Sequence, residues 1–292
     1  ALLPGEVHTV IGDVCEDGSL ERFFAGADDK TCVIHCAGII SVASRSGSKL
    51  YQINIGGTCK VVRQCLEHHI GKMIYVSSVH AIPEKPKNCV ITEDCEFSPG
   101  LVDGDYAKSK AAATELVFSA AQKGLNVSIV FPSGIIGPGD VLGGSFTSMA
   151  KSFLTGKLPF AVRGGYDFVD FRDVAAVIIA CSQYGKAGSC YILSGHYVTV
   201  KELLSTAASL TSRKPPLLCA PLFLARLIAP FYEARSIRKN QKPFFTPYSI
   251  SVLGSNGLFS HEKATTELGY SPRELSETLR DTIVWMRENL TD

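Results

Sequence analysis

Short apolar runs alternate along this chain with helical segments of 10–20 residues, and that alternation constrains the fold more than any other feature. Thr31 to Cys36, Met73 to Val76 and Val127-Ser-Ile-Val-Phe131 read as buried strands. Between the first two, Leu50 to His69 carries apolar residues at helical spacing. Between the second and third, after a loop containing Pro83, Pro86 and Pro99, a helix rich in Ala, Lys and Glu runs from Tyr106 to about Lys123, and Gly124 closes it. Such an order predicts an α/β fold, a doubly wound parallel sheet with helices on both faces. Val7 to Asp13 is expected to add an earlier strand, and Ser19 to cap a short helix after it. Beyond Pro132 the pattern loosens through Gly137-Pro-Gly-Asp140 and Gly143-Gly144. A helix capped by Asp170 or Asp173 follows, and the chain is expected to end in a helix over Leu275–Asn289. Residues 1–137 are therefore read as the core carrying the sheet. Residues 138–292 are read as a mixed part with some strands and helices returning to it.

At 292 residues the chain is long enough to bury a large core, and 46% apolar with 20% charged residues is ordinary for a globular protein. A net charge of +1 gives no electrostatic argument for a nucleic-acid or anionic-membrane partner. Ten cysteines lie scattered through apparent strands and helices with no C-x-x-C pair, so buried thiols in a reducing cytoplasm are expected. Cys32, His35 and Cys36 share one strand, where alternate side chains diverge, and a fourth ligand at proper spacing is lacking; no metal site is read here. No signal peptide is read at the start. The apolar stretch from Leu217 to Tyr232 is shorter than the roughly 20 residues of a spanning helix and is interrupted by Pro221, Arg226 and Pro230. A substrate lid, a core helix or an oligomer contact is expected there, and no membrane span.

The residues with most chemistry are Tyr106 and Lys110, in Tyr106-Ala-Lys-Ser-Lys110, because helix geometry puts them on one face. Ser77 and Ser78 end the strand upstream, where a parallel sheet presents its carboxyl edge to ligands. A Ser, a Tyr and a Lys so placed can bind a carbonyl oxygen, pass it a proton and bias the proton donor's pKa. Tyr197-Val-Thr-Val-Lys201 repeats the spacing, but its Val-rich run reads as extended, so its Tyr and Lys need not share a face. His80 and the His68-His69 pair read as surface or loop residues. Arg172 reads as either structural or substrate-facing.

In order and spacing these segments resemble the extended short-chain dehydrogenase/reductases along nearly the whole chain. Gly12-Asp13-Val14 resembles the family's post-strand Asp, which contacts the adenine. His35-Cys36-Ala37-Gly38 resembles the strand end that passes under the cofactor. Asn54 in Asn54-Ile-Gly-Gly-Thr58 matches the N-x-x-G-T helix start, as an alternative to a plain helix cap. Ser78, Tyr106 and Lys110 match the catalytic Ser and the Tyr-x-x-x-Lys pair. Pro132-Ser-Gly-Ile-Ile-Gly-Pro-Gly-Asp140 resembles the loop over the nicotinamide, and Phe168 to Ala175 the later V-x-D-V-A segment.

The resemblance implies a Rossmann-like fold, NAD or NADP as cofactor, and catalysis by Ser78, Tyr106, Lys110 and Asn54. It implies cofactor contacts from Asp13, Val14, Cys36, Ala37, Gly38, Tyr106, Lys110, Pro132, Ser133 and Ile135. It also implies a homodimer through paired helices that include the one carrying Tyr106. The family's Gly-rich phosphate-binding turn has no counterpart in this sequence, which starts near the family's third strand. The first β-α-β portion is expected to be missing from an incompletely represented chain.

Where nucleotide-sugar epimerases carry R-x-x-N, this chain has Phe131-Pro-Ser-Gly134, and Tyr166-Asp-Phe168 replaces an Arg that binds diphosphate. The Pro-Ser pattern, Lys242-Pro-Phe-Phe-Thr246 and Leu268-Gly-Tyr-Ser-Pro272 resemble the dihydroflavonol reductase and 3β-hydroxysteroid dehydrogenase branch. The expected activity is hydride transfer between nicotinamide and a ketone or secondary alcohol on an apolar small molecule. Phe146, Phe160, Tyr166, Phe168 and the stretch from Phe223 to Phe231 are expected to line its pocket. A nucleotide-sugar epimerase or dehydratase, or a non-catalytic dinucleotide-binding regulator, are the alternatives.

Overall fold

The computed structural model describes residues 7–289 apart from 159, 212, 217, 240 and 242. Leu217 of the apolar stretch and Lys242 of the C-terminal motif lie outside the described residues. In chain order the elements are α1 (Glu21–Phe24), β1 (Cys32–His35), α2 (Ser48–Tyr51), a π-helical stretch (Gln52–Gly57), α3 (Thr58–Glu67) and β2 (Lys72–Val76). Next come α4 (Asp105–Gln122), β3 (Val127–Pro132), β4 (Gly134–Ile136), α5 (Ser145–Leu154), β5 (Ala161–Val162), β6 (Gly165–Asp170) and α6 (Phe171–Tyr184). The chain continues through β7 (Cys190–Leu193), β8 (His196–Thr199), α7 (Val200–Ser209), β9 (Cys219–Ala220) and α8 (Leu222–Arg238). It closes with α9 (Pro247–Leu253), α10 (Glu262–Leu268) and α11 (Leu275–Asn289).

Four parallel strands form the main sheet in the order β1-β2-β3-β7. Their apolar runs are continuous because both faces are covered. Met73, Tyr75, Ile129 and Phe131 pack into one core with Val61, Val62 and Cys65 of α3 and Ala107 and Ala111 of α4. The intervening Ile74 and Val130 pack into a second core with Val174, Val177 and Cys181 of α6 and Ala264 and Leu268 of α10. That alternation is the period-two geometry of a strand between two helical layers, and it is the doubly wound fold that the sequence predicts. The C-terminal half supplies β7 and α6 to this sheet. It also builds a mixed sheet, β4-β6-β8, and the small pair β5-β9.

Three local expectations change. Val7 to Asp13 is not a strand: the segment is exposed and pairs with no other strand among the described residues, and apolar alternation alone cannot satisfy a strand's backbone groups. Ser19 does not cap α1 with its side chain; its hydroxyl instead accepts the Asp13 N–H at 2.6 Å. The expected helical segment over Leu50–His69 is present but not regular, with the π-helical stretch Gln52–Gly57 set between α2 and α3. Elsewhere Asp170, not Asp173, caps α6 by accepting the Arg172 N–H. Tyr197 sits on β8 and Lys201 inside α7, with the Thr199 capping box between them, so this second Tyr-Lys pair shares no helix.

Candidate functional site

Ser78, Tyr106 and Lys110 meet at the carboxyl end of β2. Ser78 leaves the strand in extended conformation and caps the 3₁₀ turn Val79–Ala81, its hydroxyl accepting the His80 N–H at 3.3 Å. The Ser77 hydroxyl, bonded to Thr114 at 2.7 Å, ties the strand to α4. Gly104 precedes α4 with φ of +89°, and a Cβ there would lie 2.3 Å from the Tyr248 ring, so only glycine fits this entry to the helix. Tyr106 then stands in the first turn and Lys110 one turn on, both buried. The Lys110 ammonium donates to the Val76 carbonyl at 2.8 Å and to the Tyr75 hydroxyl at 3.3 Å, and lies 4.9 Å from the centre of the Tyr75 ring.

Burial sets the protonation of this group. It pushes the Tyr106 phenol up from its ordinary value, while hydrogen bonding from Ser78 pulls the other way. It pushes Lys110 down to about 8, opposed by the Cys36 thiol. Near neutrality the site therefore offers a protonated phenol with a charged ammonium one helical turn on, which suits donation of a proton.

Asn54 is not a helix cap. It lies inside the π-helical stretch, buried, with its carboxamide paired to Ile39 in both directions: Oδ1 accepts the Ile39 N–H at 2.7 Å and Nδ2 donates to the Ile39 carbonyl at 3.0 Å. Nδ2 also donates to Ser109 on α4 at 2.9 Å, so a single side chain locks the loop after β1 against the helix of Tyr106. Gly38 packs close to this clasp: a Cβ there would make a tight contact of 3.2 Å with Asn54 Oδ1 and an ordinary one of 4.0 Å with Lys110 Nζ. His35 is buried on β1, bonded to Thr58 at 2.9 Å and stacked on Tyr75. Burial pushes its pKa down to about 4.

The expected cofactor residues divide by exposure. Cys36, Ala37 and Gly38 form an open strip running from β1 toward Lys110. Pro132 and Ser133 are buried at the end of β3, and Ile135 is half-exposed on β4. The Ser133 hydroxyl has no hydrogen-bond partner of good geometry among the described residues, although it lies near enough to Asp167 to lower that carboxyl's pKa. A buried hydroxyl after β3, and an open strip after β1 whose Gly38 lies near Lys110, share the carboxyl edge of the sheet and fit the nicotinamide and ribose of a dinucleotide. Asp13 is exposed and uses its carboxylate locally, accepting the Cys15 N–H at 2.7 Å, and Val14 packs on Gly57. Among the described residues no His, Cys, Asp or Glu cluster is arranged to hold a metal ion.

His80 is half-buried and held from both sides of its ring. Its Nε2 bonds the Tyr166 hydroxyl at 2.8 Å and its Nδ1 the Tyr248 hydroxyl at 3.1 Å. The Tyr106 ring stands edge-on at 5.6 Å. Burial pushes the His80 pKa down to about 4, so the ring is neutral and one of the two tyrosines donates to it while the other accepts. Tyr166 and Tyr248 are 86 and 168 residues away, so no local spacing points to this cage. Beside it lies a cavity of about 120 Å³ with a mixed lining, apolar at Val79, Ile82 and Val252 and polar at Glu84, Asp103 and Asn256.

Of the expected pocket aromatics, Tyr166, Phe168 and Phe146 do form a ring cluster, with centroids 5.7 and 6.0 Å apart. Phe160 instead packs under α8, and Phe223 and Phe231 are exposed on that helix. Arg172 is structural: it pairs with Asp170 and Asp281, both at 2.7 Å.

Comparison with known proteins agrees with this geometry. Residues 2–193 match the NAD-dependent epimerase/dehydratase family. The chain belongs to that family. The chain is 27% identical to sterol demethylase protein B of Methylococcus capsulatus, over 97% of this chain and 85% of that protein. It is 26% identical to 3beta-hydroxysteroid-dehydrogenase/decarboxylase isoform 1 of Arabidopsis thaliana, over 97% and 67%. The solved structure of gox2253 superposes with a TM-score of 0.81 at 26% identity, covering 96% of this chain and 84% of that one.

Proposed function

We propose that this family member is an NAD(P)-dependent reductase or dehydrogenase acting on a ketone or secondary alcohol of an apolar small molecule. The observation that supports this reading above all others is the convergence of Ser78, Tyr106 and Lys110 at one buried point of the sheet's carboxyl edge. The cofactor, when bound, supplies or accepts the hydride. Cys36, Ala37, Gly38, Pro132, Ser133 and Ile135 would hold its nicotinamide half, and Asp13 with Val14 its adenine. Ser78 donates to the substrate oxygen and orients the carbonyl. Tyr106 gives that oxygen its proton in reduction and removes it in oxidation. Lys110, held by the Val76 carbonyl, stabilises the phenolate while it carries its charge. Asn54 acts through Ile39 and Ser109, fixing the strip against the Tyr106 helix.

An apolar substrate is supported by Tyr166-Asp-Phe168, which stands where nucleotide-sugar enzymes place a diphosphate-binding Arg. It is also supported by the sterol and hydroxysteroid names of the two curated relatives. The test is Tyr106→Phe, which keeps the ring and removes the proton. Turnover of ketones should fall by about 10²–10⁴-fold, while a fluorescence titration with NADPH or NADH changes little. Turnover equal to wild type would overturn the mechanism.

A further inference from the structure

Helix α8 wears its large apolar side chains on the outside. Phe223, Leu227 and Phe231 recur at every fourth position and are 64%, 66% and 78% exposed, with Leu224 and Ile228 beside them at 41% and 52%. The face turned to the protein carries Ala225, Ala229, Glu233 and Ser236. Single exposed apolar residues are ordinary, but a contiguous patch of five on one helix marks a surface meant to be covered.

The charge of the same region says by what. Residues 211–247 hold seven Lys and Arg against one acidic residue, a local +6 that leaves −5 for the rest of the chain. Glu233 does not offset it at the surface, since it is buried and accepts both the Ser44 N–H and the Ser44 hydroxyl, at 2.7 and 2.8 Å. Arg226, Arg235, Arg238 and Lys239 on the helix, and Arg213 and Lys214 before it, are all exposed. The near-zero net charge of the whole chain therefore conceals a segregated one.

We infer that α8 is an interfacial anchor that lays its Phe223-Leu227-Phe231 face into the surface of an anionic lipid bilayer. Aromatic and aliphatic side chains with flanking Arg and Lys are what such a surface binds, through burial of the apolar face and attraction of the cations to lipid headgroups. The helix does not span, because no described helix is long and apolar enough to cross a membrane. A second copy of the chain is the poorer occupant, since a two-fold contact brings the same patch, and the same +6, against itself. The anchor packs on α9, which carries Tyr248 of the His80 cage.

The test is co-sedimentation of the full chain with vesicles of phosphatidylcholine alone and of phosphatidylcholine with phosphatidylserine. The wild type should bind the anionic vesicles about tenfold more tightly than the neutral ones and release with added salt. Leu227→Glu with Phe231→Glu should weaken that binding by about tenfold or more, and Arg235→Gln with Arg238→Gln should erase the preference for phosphatidylserine. These side chains face solvent, and an unchanged circular dichroism melt would show the variants folded. A folded wild type that ignores anionic vesicles overturns the inference. So does binding indifferent to the Glu pair, and so does a homodimer that the Glu pair dissociates without any vesicle binding.

Discussion

Helices α4 and α8 are nearly the same length, 18 and 17 residues, and they break the burial rule in opposite directions. α4 buries Tyr106, Ser109, Lys110 and Thr114 among its alanines, while α8 buries Ala225, Ala229, Glu233 and Ser236 and leaves Phe and Leu outside. Polar atoms inside are costly unless partnered, and those of α4 have partners in Val76, Tyr75, Asn54 and Ser77. Apolar atoms outside forgo burial energy, and Phe223, Leu227 and Phe231 of α8 stay mostly in solvent. The inward exception is thus finished within the fold, and the outward one is open to a second body.

Lys110→Met should produce the largest change, because it attacks the inward exception at its charged end. Activity should fall by about 10²-fold or more, yet the melting temperature should hold, since an aliphatic chain replaces a buried ammonium. Loss of both together in a thermal melt and a rate assay would make Lys110 a structural residue instead.

The neutral histidines behind α4 should make themselves felt next, through pH. His35 and His80 have pKa values lowered from 6.5 to about 4, so below pH 6.5 the unfolded chain binds protons that the folded chain refuses. Stability should be level above pH 6.5 and decline as pH falls toward 4, by up to about 3 kcal/mol per ring. Asp167, raised to about 6 by burial, binds its proton better when folded and so adds stability as pH falls from 6, offsetting part of the decline. His80→Gln should remove about half of the histidine contribution in urea titrations at pH 7 and pH 5. An acid decline identical to wild type would mean that His80 is not neutral in the fold.

Smaller effects separate the two faces of α8. Ala229→Leu, on the buried side, should overpack the core shared with Val162, Ala225 and Ile250 and cost about 1–3 kcal/mol in denaturant unfolding. Phe231→Ser, on the outer side, should change stability by less than about 0.5 kcal/mol. Equal costs for the two would show that Phe231 is covered within the folded chain.

Much of this site was legible because its chemistry is local. Ser77-Ser78 ends a strand, Tyr106 and Lys110 share a turn, and Asp170 caps α6, each fixed by spacing of a few residues. His80 was illegible for the opposite reason, its partners being contributed by distant parts of the chain. α8 was half legible: its apolar run was plain, but a helix with apolar residues on every side does not say which side faces in. Val7 to Asp13 had the pattern of a strand, and pattern cannot supply a neighbour to pair with. The π-helical stretch leaves no compositional mark, yet it is what turns Asn54 toward Ile39.

That stretch has a consequence for how the chain tolerates length change. A π turn holds one residue more than an α turn, and it occurs frequently at functional sites. Deleting Ile55 or Gly56 would let the segment relax to regular helix. The α3 side chains that fill the core, Val61, Val62 and Cys65, would keep their mutual spacing, as would Thr58 beneath His35. Their phase relative to Asn54 would shift by about 100°, so the helix could seat its core or clasp Ile39, not both. The surplus residue is the hinge of that compromise, and insertions or deletions across it should be far rarer in this lineage than in the loop a few residues before it.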